Sequence, residues 1–355
     1  MNFRVLGGGS LCALLYATNL LAAADEYAFR ITLRSEVDDV ATANGFCRGQ
    51  AMTSAALAEA VPTRRAALQL ELARFDRETG YGCRELESGL RAYMEELSSK
   101  AGGSSQFWQD YSRTVERALS DQLAKAYQGG YSEAAADLFL KEMAGRRKGK
   151  MDEEILGTIL SASREFRRYP ELEVSRGFGE VFSTSGLTKS RGIRMQLKVP
   201  LSWKGKEGDG PRVVQKWTSK IDASGAFASL ILMALPATPA EMAEIRSEFT
   251  TGVLPREFRQ MLPGEAVVEG VDQVQLMFRP AMRATFQLRS RASDRDVVQK
   301  NLFYMALADN GVVTMQCGVI TFGDPSKITA LLERYRKVCE LSAVSMLDLS
   351  HIQGK

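Results

Sequence analysis

His351, four residues from the C-terminus, is the only imidazole in a chain of 355 residues. A Ser-His-Asp or Cys-His arrangement needs a base that titrates near neutrality. So near the end of the chain, His351 is expected to be a frayed-tail residue instead. The S-x-x-K, HExxH, GxGxxG, GxxxxGK[ST] and EF-hand signatures are all absent. Gly205, Gly208 and Gly210 alternate with Lys204, Lys206 and Arg212, a phosphate-like composition whose spacing fits neither nucleotide loop. A flexible β-hairpin tip is the expected reading of that stretch. Trp203 and Trp217 flank it, and strand alternation should turn both indoles into the core. If any segment recognises a partner, the expected binding residues are Trp203, Lys204, Lys206, Glu207 and Arg212, because loops between strands carry function more often than the scaffold does. Carboxylate pairs can run glycoside chemistry without histidine, and Glu265 and Glu269 are nominal candidates, though nothing in the sequence separates them from surface charges. No CxxC pair exists, so neither a metal site nor a cofactor is expected, and no catalytic residue is assigned.

Composition bounds the partners. Hydrophobic residues make up 45% and charged residues 25% of the chain, an ordinary globular balance, which excludes collagen, coiled coil and wholesale disorder. With 46 basic and 43 acidic side chains the net charge is only +3, so a nucleic-acid partner is not expected. The first 24 residues read as a secretory signal peptide: Arg4, an apolar run from Leu11 to Leu21, and Ala22-Ala23-Ala24 before Asp25. An uncleaved anchor would need roughly 20 apolar residues. A lipid on Cys12 is disfavoured by Leu11, where a small residue is needed. No later stretch is apolar enough to span a bilayer, so a periplasmic or secreted product is expected.

Cysteine usage agrees with that compartment. Beyond the leader stand Cys47, Cys83, Cys317 and Cys339, an even number open to three connectivities. Helix phase and chain position favour Cys47 with Cys83 and Cys317 with Cys339.

The elements that must hold these residues fall into two classes. A strand is expected from Tyr27 to Leu33, and then from Gly45 to Phe166 apolar residues recur at three and four: Leu86, Leu90, Tyr93 and Leu97; Trp108, Tyr111, Val115, Leu119 and Leu123; Met151, Ile155 and Ile159. Pro62 and the pairs Gly80 and Gly82, Gly102 and Gly103, and Gly129 and Gly130 separate about six helices. The run Arg146, Arg147, Lys148 and Lys150 reads as a solvated helix terminus rather than an anion patch. Near Tyr169 the period changes to two, which puts a boundary between a helical domain, 25–168, and an α+β domain, 169–355. Strands follow at 193–199, 213–217, 227–235, 266–274 and 284–291, with a helix at 239–261. Asn310-Gly311 reads as a two-residue turn that would set Ala308 opposite Val313, Ala306 opposite Met315 and Tyr304 opposite Cys317. A closing helix from Gly323 to about Leu341 should cover that hairpin.

Several features of the second half belong together: Ser202-Trp203-Lys204 through Glu207, Pro211 to Trp217, the Leu262-Pro263-Gly264 turn, the Asn-Gly hairpin with Thr314-Met315-Gln316-Cys317, and the closing helix ending in Cys339-Glu340. Over roughly Phe178 to Leu349 this resembles the Mog1/PsbP-like domains. The resemblance implies a central antiparallel sheet between helices and an accessory or binding role, with no catalytic residue to carry over. Relatives that bind metal use histidine, which this domain has only at His351. The function expected is therefore that of an exported, non-enzymatic binding or accessory protein of the cell envelope with a protein partner there. The alternative is a carboxylate-based hydrolase acting on a cell-envelope polymer.

Overall fold

The computed structural model describes residues 31, 36–101, 106–148, 150–221, 225–251, 266–276, 279–292, 295–322 and 325–349. The expected leader, His351, the Leu262-Pro263-Gly264 stretch, Glu265 and nearly all of the strand expected at Tyr27 to Leu33 lie outside them. The chain forms two compact units that meet in sequence at Phe178 and Gly179.

The first unit is helical. Its elements are α1 (Val37–Ala60), α2 (Arg65–Thr79), α3 (Cys83–Lys100), α4 (Gln106–Ala126), α5 (Glu133–Arg147), α6 (Glu153–Ala162), α7 (Arg164–Arg168) and α8 (Glu171–Ser175). Side-chain caps fix several starts: Ser132 Oγ accepts from Ala135 N at 3.2 Å, Asp152 Oδ1 from Glu154 N at 3.0 Å, and Ser163 Oγ from Phe166 N at 3.3 Å. Val40, Ala43 and Cys47 of α1 pack with Leu86, Leu90 and Ile159. Farther along α1, Leu57 joins Leu68, Phe75, Phe139 and Met143. The helical pattern runs one short helix beyond the expected boundary, because α8 follows Pro170 directly. Two expectations need correction. Leu97, assigned to the buried face of α3, is 48% exposed. Arg147 is not a solvated terminus: it reaches Glu71 at 2.9 Å and Glu78 at 2.6 Å, tying α5 to α2.

The second unit is built on two antiparallel sheets. A three-stranded sheet has the order β1-β2-β10, with β1 Gly179–Ser183, β2 Met195–Pro200 and β10 Leu347–Asp348. A seven-stranded sheet has the order β3-β4-β5-β9-β8-β7-β6, with β3 Lys204–Glu207, β4 Val213–Thr218, β5 Phe227–Pro236, β6 Val267–Leu276, β7 Arg279–Ala292, β8 Arg295–Ala308 and β9 Gly311–Phe322. Helix α9 (Pro239–Thr251) packs Met242, Ile245 and Phe249 on one face, against Ile231, Met233, Met282, Phe303 and Met305. Helix α10 (Ile328–Val344) lays Leu331, Leu332, Tyr335 and Cys339 on the other, together with Met195, Leu197 and Val199 of the small sheet. Period-two alternation is what allows both faces of β5, β8 and β9 to be buried by different helices.

The β8–β9 hairpin departs from its expected register by two residues. Asp309 and Asn310 form the loop, and the pairs are Ala308 with Gly311, Ala306 with Val313, Tyr304 with Met315 and Leu302 with Cys317. Gly311 is not needed for a left-handed turn. A Cβ there would stand 2.4 Å from Leu235 O and 2.9 Å from Pro236 Cα, so close approach of β5 demands glycine. A shift of two preserves the face of every side chain. Cys317 therefore still faces α10, and Cys317 and Cys339 pair with a Cα–Cα distance of 5.6 Å. Cys47 and Cys83 pair at 5.9 Å. Both values lie within the disulfide range.

Candidate functional site

The five residues singled out in sequence lie on or beside the β3–β4 ribbon, and the structure separates their roles. Trp203 N donates to Pro200 O at 3.1 Å, a tight turn that swings the indole inward, where it is 4% exposed and meets the Tyr335 ring edge-on at 6.1 Å. Trp217 is likewise buried, edge-on to Phe182 at 4.9 Å. Both indoles are core, as alternation implied, so Trp203 leaves the set of surface binding residues.

The glycines serve this packing. Gly205 pairs with Trp217 across the ribbon, and a Cβ there would stand 2.9 Å from the indole Nε1. At Gly208 a Cβ would meet Val213 side-chain atoms at 2.2 and 2.5 Å. A glycine seat for an indole and a tight turn account for two glycines that looked phosphate-like.

What remains outside is charge. Glu207 shares the Gly205 face and pairs with Lys189 at 2.9 Å; Lys189 also donates to Gly208 O. Lys204 and Lys206 project from the opposite face. There the register places Lys206 directly across from Lys216 and Lys204 across from Thr218. Lys216 in turn neighbours Ile231, so these lysines lie on the α9 side of the sheet. Like charges directly opposed on one sheet face are destabilising. Lys216 is half-buried, and its pKa is lowered first by burial and then by repulsion from Lys206, against a smaller opposing pull from Asp209. Asp209, largely exposed at the turn, stands 3.7 Å from Lys206 Nζ. Arg212 is held by its backbone, its carbonyl accepting from Ala234 N at 3.1 Å. Such an array can hold an anion.

Lys189 and Lys216 were missed in sequence. Lys216 sits ten residues from Lys206, and only the length of the β3–β4 turn brings the two together. A buried polar set on β8 and β9 was also missed. Asn301 Oδ1 accepts from Gln299 Nε2 at 2.8 Å and from Gln316 Nε2 at 3.2 Å, on the face that carries Phe303 and Met305. No sequence signal marks it, since glutamine and asparagine in a strand usually point to solvent.

Of the two carboxylates offered for a hydrolase, one is described. Glu265 lies outside the described residues, and Glu269 is ion-paired at 2.8 Å with Lys300, which also bonds Thr329. A cavity of about 520 Å³ opens where Phe249, Gln273, Val274, Gln275 and Pro280 meet, with no acidic side chain among those five.

No protein-family model matches the chain, and no curated protein does. Among solved structures it is similar to cyanobacterial PsbP (CyanoP) from Synechocystis sp. PCC 6803, at 13% identity over 47% of this chain and 92% of that one, with a TM-score of 0.28. It is also similar to LpqN of Mycobacterium tuberculosis, described as involved in cell envelope biogenesis, at 14% identity over 48% of this chain and 90% of that one, TM-score 0.28. A Bacteroides thetaiotaomicron VPI-5482 protein gives 9% identity over 45% of this chain and 47% of that one, TM-score 0.25. In the second unit an antiparallel sheet between helices is the α+β arrangement that the sequence resemblance implied.

Proposed function

We propose that the chain is an exported, non-enzymatic binding or accessory protein of the cell envelope, and that the β3–β4 ribbon is its contact face. The observation that carries this reading is the opposed pair Lys206 and Lys216 on a rigid support. A scaffold that buries two tryptophans beneath a ribbon and seats glycines to fit them holds that ribbon in one shape. Keeping like charges together there is a local cost that a bound anionic group offsets. Export is supported by the leader-like first 24 residues and by two cysteine pairs at disulfide distance, which persist in oxidising compartments. No described helix is long and apolar enough to cross a membrane.

The test is cross-linking in intact cells with a photo-reactive residue at Lys206 or, as a control, at Lys141 on α5. A discrete envelope protein captured from position 206 and not from 141 supports the reading. Equal, diffuse labelling from both positions, or recovery of the chain with its first 24 residues intact in the cytoplasm, would refute it.

A further inference from the structure

Resting on that reading, we infer that β3 recognises an extended acidic protein segment, which adds along the outer edge of the seven-stranded sheet with its carboxylates on Lys204, Lys206 and Lys216. β3 is the terminal strand in the sheet order, and all four of its residues are exposed. An edge strand offers unpaired backbone groups to an incoming strand. Lys204 and Lys206 are two positions apart, so their side chains repeat along one face every ~6.7 Å. That is the repeat of acidic side chains placed at alternate positions of an extended segment. Lys216, one strand inward, adds charge behind the same face.

The charges also select against the wrong occupants. A second copy of this edge would set lysines against lysines. An anionic lipid surface is a poorer match, because Glu207 projects from the reverse face, Asp209 stands at the turn, and none of the described large exposed apolar side chains lies on β3, β4 or their turn. A flat bilayer would meet the acids together with the lysines, whereas a strand added at the edge can turn its alternate acidic side chains to the α9 side, where Lys204 and Lys206 project.

The experiment uses residues 25–355 with both disulfides formed. The probes are an end-capped octapeptide of alternating threonine and glutamate, its threonine–lysine counterpart, inorganic phosphate, and vesicles of phosphatidylcholine and phosphatidylglycerol. The readouts are the amide shifts of residues 204–207 and the indole N–H shift of Trp217, whose ring lies directly behind Gly205. The threonine–glutamate peptide should bind and perturb 204–207. The double substitution Lys204→Glu with Lys206→Glu, at two exposed positions, should weaken that peptide at least tenfold and reverse the preference towards the threonine–lysine peptide, with an unchanged far-UV spectrum. Binding that ignores the double substitution, shifts confined to other strands, or phosphate and vesicles that perturb 204–207 as strongly as the peptide would overturn the inference. If a photo-reactive residue at the neighbouring, exposed Asp209 still captures the same envelope partner in the doubly substituted chain, this inference fails while the accessory reading stands. Loss of the partner together with loss of the peptide supports both.

Discussion

Replacing Gly318 by alanine tests the central packing of the second unit. Gly318 lies in β9 opposite Asn301 of β8. A methyl group there would stand 2.3 Å from Lys300 O, 2.4 Å from Asn301 Oδ1 and 2.8 Å from Asn301 Cα. Two of these atoms are backbone in a strand paired to β7 on one side and β9 on the other, so the strand cannot withdraw without breaking ladder bonds. Overpacking of this kind costs about 1–3 kcal/mol. Displacing the Asn301 amide from Gln299 and Gln316 inside the core adds about 1–2 kcal/mol, so the expected loss is about 3 kcal/mol. Gly270 is the control: it lies in the edge strand β6, and nothing stands within 4 Å of a Cβ there. Gly270→Ala should be neutral or stabilising by up to about 1 kcal/mol, because alanine restricts the unfolded chain. Denaturant unfolding with the disulfides intact, followed by the fluorescence of Trp203 and Trp217, measures both. Adding Asn301→Ala to Gly318→Ala should recover little, since Lys300 O still blocks the methyl. A Gly318→Ala chain within 1 kcal/mol of the parent at unchanged m-value, or full rescue by Asn301→Ala, would refute this account of the core.

Three further outcomes are expected. Asp76 has its pKa raised from 3.8 to about 6, chiefly by burial and despite the nearby Arg84. The folded chain therefore binds more protons than the unfolded one between those values, and stability from this group falls as pH rises from about 4 to 6; Asp76→Asn should stabilise at pH 8 and make no difference at pH 3.5, as thermal scans at the two pH values will show. Arg147→Met leaves Glu71, 11% exposed, with only the longer contact to Arg74 at 3.6 Å, and should cost about 2 kcal/mol in urea unfolding, against less than about 0.5 kcal/mol for Arg91→Met, whose exposed pair with Glu95 spans one helical turn. Peptide mapping without reduction should find Cys47 linked to Cys83 and Cys317 to Cys339, and Cys339→Ser should lose roughly 3 kcal/mol by the loop-entropy relation; a Cys317 linked to either N-terminal cysteine would show that α10 does not dock as described.

Much of this fold was legible because hydrophobic periodicity is a local property. The phase of Leu331, Leu332, Tyr335 and Cys339 identified the inward face of α10 with no partner in view. The alternation of Met195, Leu197 and Val199 did the same for β2. The pairing of Cys317 with Cys339 followed from faces alone, which is why it survived a two-residue error in the hairpin register. That error had a physical source: Asn-Gly suggested a turn requiring positive φ, whereas Gly311 is glycine because β5 passes within 2.4 Å of its missing side chain. Close approach between strands distant in sequence leaves no local mark. The same limit hid Arg147, whose partners are 69 and 76 residues away.

The candidate site was half legible for a related reason. Composition pointed to the stretch from Lys204 to Arg212, but composition cannot tell which lysines share a face. A slip of one residue in the β3–β4 register would send Lys216 to the opposite side and remove the conflict with Lys206. The register is held from behind: Gly205 must sit under the Trp217 indole, and Gly208 must clear Val213. The packing that buries the two tryptophans is therefore also what sets Lys206 against Lys216. A like-charge pair enforced by the best-packed part of the ribbon is a departure with a structural cause, and departures of that kind concentrate where a protein meets its partner.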